Sequence, residues 1–243
     1  MVHKIANYIC VGDSMSIDCY PYYELSITHP DVTERIGAAS LLFKNQDEIW
    51  PEFKGKDLSS IHPDIRFCNL AEDGATTFDF LDAGYLDLVK DTVATPSIVT
   101  VTLGGNDLLR ILIAKLDSIA EASAEVVTRY NKVMDMLTEG LPRAICVLST
   151  IYDPTDGTGD LPGFGSIKDQ LRWLSFVNEG IRDCAKRHSA LLVDTHNHFL
   201  GHGLSAPPSE RWYWAPNIIE PGARGANELR RLWYDILVSQ DLA

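Results

Sequence analysis

Five short apolar runs set the hydrophobic pattern of the chain: KIANYICVG (4–12), IRFCNLA (65–71), SIVTVTLG (97–104), RAICVLSTIY (143–152) and ALLVDTH (190–196). Each is close to continuous in Ile, Val, Leu and Cys rather than alternating with polar residues. Strands buried on both faces have that pattern. Between them, apolar residues recur at helical spacing over 77–91, 112–140 and 167–189, and again over about 224–238. Strands alternating with helices predict an α/β, doubly wound domain on a five-stranded, mostly parallel sheet. No repeat or linker interrupts the pattern, so residues 1–243 are expected to form one domain.

In such a sheet, ligands bind at the carboxyl ends of the strands. The residues that follow each strand therefore carry the functional information: GDSMSID after the first, EDGATT after the second, GGND after the third and TIYDPTDGTG after the fourth. HNHFLGHG follows the fifth and leads into a stretch without a clear element up to about residue 220. Ser14 places a hydroxyl where a strand gives way to a turn and an expected helix start; by itself the triplet also suits a helix cap. Gly104 and Gly105 bring unencumbered backbone up to Asn106. A glycine N–H and an asparagine amide aimed at one point suit the oxyanion formed when a carbonyl is attacked. Gly74, at the second strand end, offers a further backbone donor.

Gly12-Asp13-Ser14, Gly74 within NLAEDGAT, and Gly104-Gly105-Asn106-Asp107 resemble, in order and placement, the first three motifs of the SGNH (GDSL-type) hydrolases. The resemblance covers nearly the whole chain. It implies a three-layer α/β/α, flavodoxin-like fold and Ser14 as nucleophile. It also implies an oxyanion hole from the Ser14 and Gly74 N–H groups and the Asn106 side chain, with Asp13 and Gly104 in support. Members of the family act mostly on carboxylic esters.

The fourth family motif, Asp-x-x-His-Pro before the last helix, is replaced. Asn217-Ile218-Ile219-Glu220-Pro221 stands there, followed by a suitable helix start. A serine nucleophile needs an adjacent base of suitable pKa, and three arrangements are open. His202, between two glycines in the preceding loop, is the preferred base, with Glu220 or Asn217 orienting it. Glu220 is the second candidate, because burial raises a carboxylate toward the useful range. In the third, the site binds ligands without turning them over. The aromatic and apolar residues between Leu204 and Pro216 offer an acyl pocket, a stacking platform or the domain's own packing.

A metal-dependent hydrolase is a competing class. Asp194, His196 and His198 sit together at a strand end, and a His-x-His pair with a carboxylate matches common ligand sets. That reading leaves GDS and GGND unexplained. A phosphate-binding module is a further alternative, without support from a GxGxxG or P-loop pattern.

Charge and composition narrow the partners. The formal charge is −13, which opposes nucleic acid and anionic membrane surfaces. Arg224, Arg230 and Arg231 are expected on a solvated helix face. Five cysteines without a CxxC, no apolar run of membrane-spanning length and no leader-like start suggest a cytoplasmic protein. The expected activity is a cofactor-independent esterase acting on a small-molecule ester, with no metal required.

Overall fold

The computed structural model describes residues 4–114, 118–163 and 165–243. The five expected strands form one parallel sheet: β1 (Asn7–Val11), β2 (Arg66–Asn69), β3 (Ser97–Val101), β4 (Ala144–Ser149) and, after the small hairpin described below, β7 (Leu191–Val193). Their order is β2-β1-β3-β4-β7. The chain first winds outward from β1 to β2, then crosses back to β3 and continues the other way. The crevice between the ends of β1 and β3 is therefore the topological switch point, where such sheets bind ligands.

Alternate residues of each strand feed two apolar layers. Ile9, Val11, Val99, Val101 and Leu148 pack with Val126, Tyr130, Val133 and Ile181. These belong to α6 (Ile119–Gly140) and α7 (Leu171–Arg187). Tyr8, Cys10, Ile98 and Val147 face the other way, onto Leu41, Leu42, Leu229 and Trp233. Those come from α2 (Ala38–Phe43) and α9 (Ala223–Val238), joined on this face by α1 (Tyr20–Thr28). Trp233 is fully buried and its indole N–H donates to Ser149 Oγ at 3.0 Å, so the largest core residue leaves no polar atom unpaired. The three-layer α/β/α expectation holds.

Several local expectations are corrected. The helix expected over 77–91 is α4 (Thr77–Asp82) followed by a 3-10 stretch, Tyr85–Thr92, because Gly84 adopts φ +64°, a left-handed conformation that ends an α-helix. The helix expected over 112–140 is divided between α5 (Gly105–Ala114) and α6, with residues 115–117 outside the described residues. Arg230 is not on a solvated face: it is fully buried, bonds to Asn45 Oδ1 at 2.9 Å and lies over the Phe53 ring. A short α3 (Leu58–Ile61) and the two-stranded hairpin of β5 (Asp160–Leu161) and β6 (Gly165–Ser166) were not foreseen. Nor was α8 (Thr195–Phe199), which Asp194 caps by accepting the Asn197 N–H. Among the described residues no helix is long and apolar enough to cross a membrane.

Candidate active site

Ser14 lies in a tight turn just after β1, and the chain does not become helical until Tyr20. Asp13 shapes this turn, its carbonyl accepting Ser16 N–H at 3.0 Å and its Oδ1 accepting Met15 N–H at 3.1 Å. Gly12 is required because β1 and β3 close together here. A Cβ at Gly12 would stand 2.0 Å from Thr102 Oγ1, the group that also bonds Ser16 Oγ and receives the Asp13 N–H. Gly12→Ala is expected to displace the Ser14 turn, costing about 1–3 kcal/mol of stability and most of the activity. A urea melt beside an ester assay checks both.

Across the switch point, Gly105 and Asn106 open α5. Side chains of the first two turns reach the segment after β2. Asn106 Nδ2 donates to Ala75 O at 3.1 Å, Arg110 Nη2 donates to Gly74 O at 3.1 Å, and Asp107 accepts from Thr77 N and Oγ1. Asp107 is buried and paired with Arg129 at 3.1 Å, so the clamp is itself held. Gly74 has φ +73°, a conformation costly for other residues. One Asn106 amide hydrogen is used on Ala75, which leaves the second available.

Glu220 completes the group. Tyr213 and Pro221 form an antiparallel bridge, and Trp214 N–H donates to Glu220 O at 2.8 Å. Tyr152 O–H donates to the carbonyl of Ile219, and the Asn217 carbonyl accepts Glu220 N–H at 3.0 Å. The loop so pinned buries the Glu220 side chain to 5% exposure and leaves its Oε2 without a hydrogen-bond partner. Burial pushes its carboxyl up to about 7, opposed by hydrogen bonding with the Ser14 side chain and reinforced by Asp73. Asp13 is pushed up to about 8, again chiefly by burial, with Glu220 adding to the shift.

Asp13, Ser14, Asn106, Tyr152 and Glu220 line one cavity with about 680 Å³ of atom-free space, partly open to solvent. Gly74 is not among its lining residues, although the Arg110 and Asn106 bonds hold its loop against α5. Asn217 contributes through its backbone, and Gly104 supplies the bend into α5 at φ +104°.

The histidines lie elsewhere. His202 stacks flat on Trp212, with ring centroids 3.7 Å apart, and does not line the Ser14 cavity. Its orientation is set by that aromatic face, so the structure does not bring it to Ser14. Asp194, His196 and His198 do not converge either. Asp194 pairs with Arg182 at 3.0 Å, His196 Nδ1 lies against Ile151 O, and His198 Nε2 lies 2.9 Å from Glu228. Among the described residues no group of three His, Cys, Asp or Glu side chains is arranged to hold a metal ion. Trp214 packs with Tyr20 and Tyr23 beside the Glu220 loop, and no residue of 204–216 lines the cavity. The cavity's apolar wall instead comes from residues of α5 and α7 that no strand-end motif marks.

No curated protein matches the chain. Solved structures of the same fold include an acetylxylan esterase from Geobacillus stearothermophilus, at 17% identity and TM-score 0.65, covering 97% of this chain and 95% of that one. A phospholipase A1 from Streptomyces albidoflavus is similar at 19% identity and TM-score 0.59, with 97% and 99% covered. An extracellular lipase from Streptomyces rimosus is similar at 21% identity and TM-score 0.58, with 96% and 99% covered. At these identities the likeness speaks for the fold. The sequence pattern of the GDSL-like lipase/acylhydrolase family matches residues 10–226. With its order of strand-end motifs and its switch-point cavity, the chain belongs to the GDSL-like lipase/acylhydrolase family and is an ester-acting hydrolase.

Proposed function

We propose that residues 1–243 form one domain that hydrolyses a neutral small-molecule carboxylic ester through a Ser14 acyl-enzyme, with Glu220 as general base. The observation that carries this reading is the buried Glu220 carboxylate beside Ser14, raised to about 7. A general base works best with its pKa near the working pH. Glu220 thus replaces His202 as the preferred base, and no cofactor or metal enters the scheme.

Glu220 takes the Ser14 hydroxyl proton as Oγ bonds to the ester carbon. The carbonyl electrons move onto oxygen, where the Ser14 N–H and the free Asn106 amide hydrogen receive them, with the Gly74 N–H offered from the loop that Asn106 and Arg110 hold against α5. Collapse of this intermediate expels the alcohol, which takes the proton from Glu220. A water then gives its proton to Glu220, attacks the acyl-enzyme and releases the acid. Ser14 recovers its proton at the end. The five free cysteines suit a reducing cytoplasm, and the charge of −13 opposes nucleic-acid partners and anionic membrane surfaces.

Ser14→Ala is expected to abolish hydrolysis of p-nitrophenyl butyrate, while His202→Ala leaves kcat/KM within about twofold of wild type. Full activity in Ser14→Ala overturns the nucleophile, and a silent His202→Ala with native stability returns the base to His202. A wild type inert to every ester, with intact binding, favours a ligand-binding protein instead.

A further inference from the structure

The cavity that begins at Ser14 is also lined by residues of α5 and α7. Leu108 and Leu112 stand one helical turn apart on α5 and share one face. Leu171 and Leu174 line the cavity from the first turn of α7, together with Leu161 of the hairpin inserted after β4 and Ile167 just beyond that hairpin. All six are aliphatic, and five are nearly fully buried. Among the described lining residues the acids are Asp13, Asp153 and Glu220. Asp153 turns both oxygens inward: Oδ1 accepts from Thr155 and Oδ2 from Gly157 N–H at 2.8 Å. The α5–α7 end thus presents hydrocarbon and no unspent charge.

We propose that this aliphatic cleft is the acyl site, and that it selects an unbranched aliphatic acid longer than acetate. The proposal rests on the Ser14 esterase reading and names its substrate class. Only the acyl half of an ester suits these walls. An alcohol moiety carrying hydroxyls would lose its water there without replacement. The cleft is bounded on two sides by packed helices, and these disfavour branched or ring-bearing acids. The chain's negative charge opposes polyanionic carriers on the alcohol side. The substrate is then a neutral ester of a straight-chain acid. Leu171, half-buried at the cleft, and the buried Leu174 determine the accepted length.

The test is kcat/KM for p-nitrophenyl acetate, butyrate, hexanoate and octanoate with the wild-type protein. Calorimetric binding of octanoic and acetic acids is measured in parallel. Each methylene the cleft buries is expected to raise kcat/KM about fourfold, and octanoic acid binds while acetic acid does not. Leu171→Trp lowers the octanoate-to-acetate ratio of kcat/KM at least about tenfold. Ser14-dependent turnover that is flat or falls from acetate onward overturns the acyl cleft and leaves the esterase reading standing. Absence of turnover on every ester, with octanoic acid still bound in preference, overturns the esterase reading and keeps the cleft. Equal or absent binding of the two acids in that case overturns both.

Discussion

Glu220→Gln is expected to lower kcat for ester hydrolysis by about two to four orders of magnitude while making the folded protein more stable at neutral pH. The two effects have one cause. The carboxylate is 5% exposed, and its Oε2 has no hydrogen-bond partner. Burial therefore works against its charged form, which is the form a base needs. Glutamine keeps the shape and cannot ionise, so it loses the proton acceptor and the cost of burying the charge together. A residue placed only for packing gives the opposite pattern, with activity and stability falling together. Glu220→Asp shortens the reach toward Ser14 and is expected to fall between wild type and Glu220→Gln in kcat. Steady-state kinetics beside thermal melts at neutral pH and above separate the cases.

The second large effect is on stability against pH. Asp13 and Glu220 are both raised by burial, to about 8 and about 7. Below about pH 3 both carboxyls are protonated in the folded and unfolded chain alike, and neither affects the balance. As pH rises past that point, the unfolded chain releases these protons while the folded chain holds them. The folded state then binds more protons, so stability falls with rising pH until each folded group ionises, near 7 for Glu220 and near 8 for Asp13. The combined loss is several kcal/mol, on the order of 3 for Glu220 and more for Asp13. Asp13→Asn and Glu220→Gln each flatten part of this slope. Urea melts at intervals from acid to mildly alkaline pH measure it, and a wild-type stability that climbs through this window contradicts the assignment.

The sheet was legible because its strands are buried on both faces. A segment such as Ile98-Val99, with one side chain in each core layer, must be apolar at consecutive positions. The segment between β1 and β2 was not legible for the converse reason. In α1 only Pro21 and Leu25 are buried, while Tyr23 and Ile27 are exposed, so its apolar residues mark no single face. Gly84 ended a helix whose periodicity ran on, because backbone conformation overrides spacing.

The site divided in the same way. Ser14 and Asn106 were placed by short motifs at strand ends, where the switch point of the sheet brings them together. The choice between His202 and Glu220 depended on how the 196–220 loop folds. Trp212 holds His202 by stacking, and the Tyr213–Pro221 bridge with the Tyr152 bond turns Glu220 inward. Those contacts join residues eight, ten and 67 positions apart and leave no periodic signal. The aliphatic cleft was hidden for a related reason: residues of α5 and α7 that line it have the same spacing as residues that fill a core.

The most direct test of the Ser14–Glu220 pair is the pH dependence of kcat/KM for wild type at two well-separated temperatures. Glu220 must be deprotonated to act, so kcat/KM rises with pH through about 7 and then levels. Ionisation of a carboxylic acid absorbs almost no heat, whereas that of an imidazolium absorbs a good deal. The account predicts a midpoint near 7 that hardly moves on warming. A midpoint that falls clearly with temperature contradicts it and returns the proton to a histidine.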